Sequence, residues 1–235
     1  MNAIIRIGAS GFSYKEWLGR FYPPKLPGPK MLAYYAEQLP TVEINYTFRA
    51  MPRRSMLEGW AAKTPIHFRF ALKAPQRITH FARLRATSES LDYFIETARA
   101  LGERLGPVLF QLPPDLARDD ALLADFIAQI GRRVQAAFEF RHSSWFAQPV
   151  LEALRSGGAS LCIAETEKLA SPIEATASHV YLRLRKEHYD ETSLGQWAQQ
   201  LHRLAAAANE IFIYFKHEAA APELAIRLQT LIEQH

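Results

Sequence analysis

The sequence predicts one α/β domain, a (β/α)8 TIM-type barrel spanning 1–235. Three observations predict it: eight short apolar runs rich in β-branched and aromatic residues, helically spaced apolar segments between most of them, and a length of 235 residues that suits a one-domain barrel. An open doubly wound sheet is the competing arrangement. It usually has fewer strands and a glycine-rich first turn, and Gly8-Ala9-Ser10-Gly11 lacks the spacing of a dinucleotide fingerprint.

The first run, 4–10, opens on isoleucines and closes on small residues, and a long first βα connection follows it. Within that connection the proline-rich stretch 22–29 reads as a surface loop. The second run, 42–46, alternates Val42 and Ile44 with Glu43 and Asn45. The third, 68–73, alternates Phe68, Phe70 and Leu72 with Arg69, Ala71 and Lys73. A helix over 90–105 leads to the fourth run, 108–112, and one over 119–130 to the fifth, 137–141, in which Phe138 and Phe140 flank Glu139. A helix over 150–156 precedes the sixth run, 160–165. The connection 166–178 is short and carries Pro172, so the sixth helix is expected to be stunted. Runs at 180–185 and 211–216, each followed by a helical segment (194–208 and 222–233), complete the eight units.

Nearly half the residues are hydrophobic and about a fifth are charged, which is the balance of a globular protein with material for a core. No apolar run approaches the roughly 18 residues of a membrane span, and no secretory leader pattern opens the chain, so a cytoplasmic address and no membrane partner are expected. The lone Cys162 forms no internal disulfide and offers no metal-ligand spacing. A net charge of +4 and a pI near 9.2 lean toward anionic company without the clustered basic signature of a nucleic-acid protein. Nothing in the sequence sets an oligomeric state or demands a cofactor.

Five motifs carry a resemblance over essentially the whole chain: Gly8-Ala9-Ser10-Gly11-Phe12-Ser13-Tyr14; Val42-Glu43-Ile44-Asn45-Tyr46-Thr47-Phe48; Phe70-Ala71-Leu72-Lys73-Ala74-Pro75 with Ile78-Thr79-His80; Gly106-Pro107-Val108-Leu109-Phe110-Gln111-Leu112-Pro113-Pro114; and Phe138-Glu139-Phe140-Arg141-His142-Ser143-Ser144-Trp145-Phe146. As a set they resemble the YecE-like family, the domain of unknown function DUF 72. The resemblance implies a TIM-type barrel with no established activity. Two departures stand out: Phe12 where the family often has Trp, and Lys216-His217 where the last strand often ends in paired asparagines. The second makes this pocket more basic than in many relatives.

Side chains alternate along a strand, so apolar positions packed on the helices turn their neighbours into the barrel. Barrels ordinarily fill that space with branched apolar residues. Here the inward list near the C-terminal strand ends holds Lys73, Arg141, Arg183, Arg185 and Lys216 against Glu43 and Glu139, with Asn45 and Gln111 among them. Unpaired burial of such charges costs several kcal/mol each. Two carboxylates neutralise two cations of the five, and the surplus points to a small anionic ligand bearing phosphate or carboxylate.

The leading reading is therefore an enzyme acting on a small anionic metabolite, with Glu139 and Glu43 as acid and base and His142 as a proton-transfer candidate. Lys73, Arg141, Arg183, Arg185, Lys216, His217, Asn45, Gln111, Ser10 and Tyr14 are the candidate anion-binding set. The neighbouring cations would also hold both carboxylates ionised, and the alternative for Glu139 with Arg141 is an interior ion pair that fixes the fifth strand, against which their position at the active end counts. A metal-dependent hydrolase or isomerase, with nucleic acid as a less favoured partner, would use Glu43, Glu139, His142 and His217. The adjacent cations and the lack of a paired-histidine motif oppose it, and no metal or cofactor is expected. A non-catalytic binding barrel is the third reading. Lys73 as an imine-forming amine is a minor alternative to its anion-binding role. Phe12, Tyr14, Trp17, Trp145 and Phe146 either pack locally or wall the cavity.

Overall fold

A computed structural model describes residues 3–166, 169, 171–217 and 219–234. Eight parallel strands close in sequence order: β1 (Ile4–Ser10), β2 (Thr41–Ile44), β3 (Arg69–Lys73), β4 (Leu105–Gln111), β5 (Ala136–Glu139), β6 (Ser160–Glu165), β7 (His179–Leu184) and β8 (Glu210–Phe215). The ring shuts where β8 pairs with β1, Ile4 opposite Glu210 through Ala9 opposite Phe215. Outside lie α1 (Gly28–Gln38), the single-turn α2 (Tyr46–Arg49), α3 (Arg54–Ala61), α4 (Ser88–Ala98), α5 (Asp120–Ile130), α6 (Gln148–Gly157), α7 (Glu191–Ala205) and α8 (Ala221–Glu233).

The expected elements are present with shifted ends. Asn45 has helical backbone angles and starts α2, so β2 stops at Ile44, short of the expected end at 46. The helix expected over 90–105 ends at Ala98. It continues as a 3-10 segment to Arg104 that breaks at Gly102, which takes a positive φ, and β4 then starts at Leu105. Gly106 and Pro107, which precede the expected run at 108–112, are drawn into that strand beside β3. Asp190 caps α7 by accepting from the Ser193 N–H, and this adds a first turn that apolar spacing does not reveal. Between β6 and β7 no helix occurs among the described residues of 166–178.

The core between sheet and helices is aromatic. Phe110 packs on Phe138, Phe138 on Phe140, and Phe140 on Trp145, whose indole donates to the Leu116 carbonyl. The long first connection is anchored where Trp17, Phe21 and Tyr22 cluster on Tyr35 of α1. Its exposed part is 23–29, not the whole of 22–29, because Tyr22 is buried with its hydroxyl on the Phe12 carbonyl. Trp17 and Trp145 thus pack in the core and do not wall the cavity.

The barrel interior forms three levels. At the N-terminal strand ends Arg6 pairs with Glu210 and donates to the His67 carbonyl. In the middle, Ala71, Leu109, Ala137, Cys162, Ala164, Tyr181, Phe212 and Tyr214 form a second buried cluster, separate from the outer core. Above them lie the charged residues.

Candidate functional site

Strand alternation aims the charged side chains at one another. Arg183 of β7, 1 % exposed, spans the barrel: Nη2 donates to Glu43 Oε1 on β2 at 2.8 Å and Nη1 to Glu139 Oε2 on β5 at 2.5 Å. Glu43 also accepts from the Ser10 hydroxyl and, at 2.7 Å, from the Tyr181 hydroxyl, while Asn45 Nδ2 donates to Ser10 Oγ at 2.7 Å. Glu139 accepts from Gln111 Nε2 at 2.8 Å and lies 3.4 Å from Arg141 Nε and 3.3 Å from Arg185 Nη1. Lys73, at the end of β3, donates to Gln111 Oε1 at 2.9 Å and holds its amine 3.7 Å above the Phe48 ring. Arg185 and Lys216 lie one residue beyond their strands, yet their N–H groups still bond Glu165 and Leu184 carbonyls, which preserves the inward direction.

The electrostatics follow from burial and neighbours. Burial alone would raise Glu139, but Arg183, Arg185 and Arg141 with the Gln111 hydrogen bond reverse this and hold it at about 2. Glu43 is likewise lowered: burial is overcome by the Arg183 charge and by hydrogen bonds from Ser10, Tyr181 and Arg183. Arg183, which burial would lower, is held charged by both carboxylates. Lys73 moves the other way. Burial and the Arg183 and Lys216 charges outweigh Glu139 and Glu43 and bring it to about 7.

Not every candidate joins this network. His142 spends Nδ1 on the Ser144 hydroxyl and N–H, where it caps a 3-10 turn. His217 bonds the Glu187 carbonyl through Nε2 and accepts the Ala220 N–H at Nδ1, which ties β8 to the start of α8. Tyr14 directs its hydroxyl to the Ser10 carbonyl and lines a neighbouring pocket of about 500 Å³ with Phe12, Asn45, Arg49 and Trp60. The set expected for a metal is not assembled, since both carboxylates are taken by Arg183 and the two histidines by their turns. Among the described residues no three His, Cys, Asp or Glu stand close enough to hold an ion.

Three contributors escaped the sequence reading. Tyr181 faces inward by alternation yet was not expected as a partner of Glu43. Phe48 and His80 come from single-turn helices in the connections after β2 and β3, too short for periodicity to fix direction. Phe48 lies under Lys73, and His80 meets Phe48 edge-on with its ring centroid 4.9 Å away. His80 titrates low because of burial and the charges of Lys73 and Arg141. It sits in a one-turn π-helix, Arg77–Phe81, followed by Arg83, Leu84 and Ala86 at positive φ. Such strained backbone recurs at working sites.

Over β5, β6 and β7 the network opens into a cavity of about 380 Å³ lined by Glu139, Arg141, Ala164, Ser171, Arg185 and the rim carboxylate Glu187, among others. Arg141 and Arg185 keep 33 % and 18 % of their side-chain surface exposed, and Lys216 stands exposed at the same end of the barrel. The Arg183 Nε–H, buried, has no acceptor among the described residues.

A sequence model of the family described as "Protein of unknown function DUF72" matches residues 6–235. The chain belongs to the DUF72 family. It is 29 % identical to the UPF0759 protein YunF of Bacillus subtilis over 63 % of this chain and 55 % of that protein. To the UPF0759 protein YecE of Escherichia coli K12 it is 29 % identical over 62 % of this chain and 51 % of that one. The chain therefore spans about half the length of the curated relatives it matches. The crystal structure of a DUF72 family protein from Thermotoga maritima superposes with a TM-score of 0.85 at 23 % identity, over 98 % of this chain and 99 % of that one. One from Enterococcus faecalis gives 0.82 at 19 % identity, over 98 % and 96 %. At such identities the likeness is one of fold. Among the described residues no helix is long and apolar enough to cross a membrane.

Proposed function

We propose that the barrel mouth binds the phosphate or carboxylate group of a small metabolite, with Arg141, Arg185 and Lys216 as its direct contacts. The observation that carries this reading is the charge count at the C-terminal strand ends. Arg183 bridges Glu43 and Glu139 and leaves one of their two negative charges, toward which both remaining arginines lean, so that Arg141, Arg185 and Lys216 outnumber it. Lys216 takes part in no ion pair among the described residues, and Lys73, brought to about 7, adds only part of a charge near neutrality. Glu187 at the rim offsets one charge at most. A recess with low-dielectric walls and one sign in excess concentrates the opposite sign, and guanidinium groups present the paired donors that such oxyanions accept.

Glu139 and Glu43 then serve as fixed counter-charges. Glu139, held at about 2, has no proton to give near neutrality and is a weak base, and Glu43 is lowered in the same sense by Arg183 and its hydrogen bonds, so we read both as counter-charges in preference to the acid and base roles suggested by sequence.

Calorimetric titration with inorganic phosphate, and with sulfate beside it, tests the reading. Binding is expected to weaken about tenfold or more when Arg185 is replaced by Met, the loss of one charge-assisted contact, and further in the Arg141→Met/Arg185→Met pair. Undiminished binding in the pair, or no binding by the native chain, would overturn it.

A further inference from the structure

We propose that the Lys73 amine is a nucleophile that forms an imine with the carbonyl carbon of a small anionic oxo compound, a 2-oxo carboxylate or a phosphorylated aldehyde or ketone, seated in this mouth. The anionic half of the proposal rests on the reading above. The nucleophilic half rests on how Lys73 is held. It is 7 % exposed at the C-terminal end of β3, and none of the described ion pairs includes it. Its described partners are a neutral carboxamide, Gln111, and the face of Phe48. Gln111 is itself fixed from the far side by Glu139, so the amine is aimed by a group that does not neutralise it.

A surface lysine is a poor nucleophile because its lone pair carries a proton. Desolvation beside other cations removes that proton. Phe48 favours the ammonium form, but burial and the neighbouring Arg183 prevail and bring Lys73 to about 7, so a large share is free amine at neutral pH. Lys15, Lys25, Lys30 and Lys63 are exposed and provide an internal contrast.

The step balances without an oxidant or reductant. The Lys73 nitrogen bonds the carbonyl carbon, and the carbonyl oxygen takes up a proton to give a carbinolamine. That oxygen then leaves as water, so both amine hydrogens and the oxygen depart as one water molecule and a C=N bond remains. His80, beside Phe48 and within electrostatic reach of Lys73, is placed to pass the proton that the departing hydroxyl needs. Arg141, Arg185 and Lys216 would hold the carboxylate or phosphate.

The test is reductive trapping. The full chain is mixed with pyruvate, with glyceraldehyde 3-phosphate or with uncharged acetaldehyde, reduced with cyanoborohydride, and mapped by peptide mass spectrometry. The anionic probes are expected to label Lys73 about tenfold more than any exposed lysine. Inorganic phosphate should suppress that labelling, and acetaldehyde should label Lys73 weakly and regardless of phosphate. The preferred anionic probe distinguishes carboxylate from phosphate. If calorimetry shows phosphate bound but Lys73 is labelled no more than Lys15 or Lys63, the imine proposal fails while the anion site stands. If phosphate does not bind and acetaldehyde alone labels Lys73, the anionic substrate class fails instead. Labelling is read on the native chain, so neither outcome depends on a variant folding; loss of the adduct in Lys73→Arg adds a check.

Discussion

Arg183 shows why a buried charge is retained although ion pairs stabilise little. Bringing two carboxylates and a guanidinium out of water costs several kcal/mol per ion, and their attraction roughly repays it. Removing one member is a different matter, because Glu43 and Glu139 would be left facing each other across the barrel. Arg183→Met is expected to cost about 3–5 kcal/mol in urea denaturation, with much of that recovered when Glu43→Gln and Glu139→Gln are added. A loss below about 1 kcal/mol would place this triad among weak surface pairs. Lys73 carries the opposite sign of effect. Its pKa falls from 10.5 to about 7, so between those values the unfolded chain binds a proton that the folded chain does not. The penalty is full below pH 7 and disappears as pH rises toward 10.5. Arg183 and Lys216 disfavour the charged amine there, while Glu139, Glu43 and the Phe48 ring favour it. Lys73→Met should therefore be more stable than the native chain at pH 7, with the advantage shrinking across that window in paired urea titrations. A pH-independent difference would show that the amine is not desolvated.

At the scale of elements, two predictions concern how strands and helices meet. A Cβ on Gly8 would lie 2.0 Å from the Thr41 carbonyl oxygen and 3.0 Å from the Tyr35 hydroxyl, which itself joins Ala9 N–H to that carbonyl. The obstacle is backbone, so β1 and β2 must separate. Gly8→Ala should lose about 1–3 kcal/mol or more and disturb Ser10 and Glu43, a change visible in thermal unfolding and in weakened phosphate binding. Asp119 accepts the Leu122 N–H at 3.0 Å at the start of α5, and Asp119→Ala should cost about 1 kcal/mol without touching the mouth. Strand identity was legible because Phe138 with Phe140, and Val180 with Leu182, alternate against polar neighbours. Strand ends were not, because Asn45 takes helical angles at the start of α2 and Leu105 is drawn in by pairing with Phe70, neither of which leaves a periodic trace. The lack of a helix among the described residues between β6 and β7 was legible only as shortness and a proline.

For the whole molecule, alternation carried the site as far as direction. It put Glu43, Lys73, Gln111, Glu139 and Arg183 on the axis, where they are found. It could not show that one guanidinium crosses the barrel to bond two carboxylates from distant strands, nor that Phe48 and His80 approach from single-turn helices in the connections. That crossing also makes the network a clasp between opposite walls, which ties acid stability to it. Glu139 falls from 4.5 to about 2 and Glu43 is lowered as well. Groups whose folded pKa is depressed contribute stability above the unfolded value, and that contribution is lost as pH falls through the folded one. The barrel should hold its margin near neutrality and shed it as pH drops from 4.5 toward 2. The double variant Glu43→Gln/Glu139→Gln should be less stable near neutrality, where it leaves Arg183 unpaired, yet decline less steeply over the acid window. Urea midpoints compared across that window decide the matter, and equal acid slopes for the two chains would mean that carboxylates elsewhere, and not this clasp, govern acid unfolding.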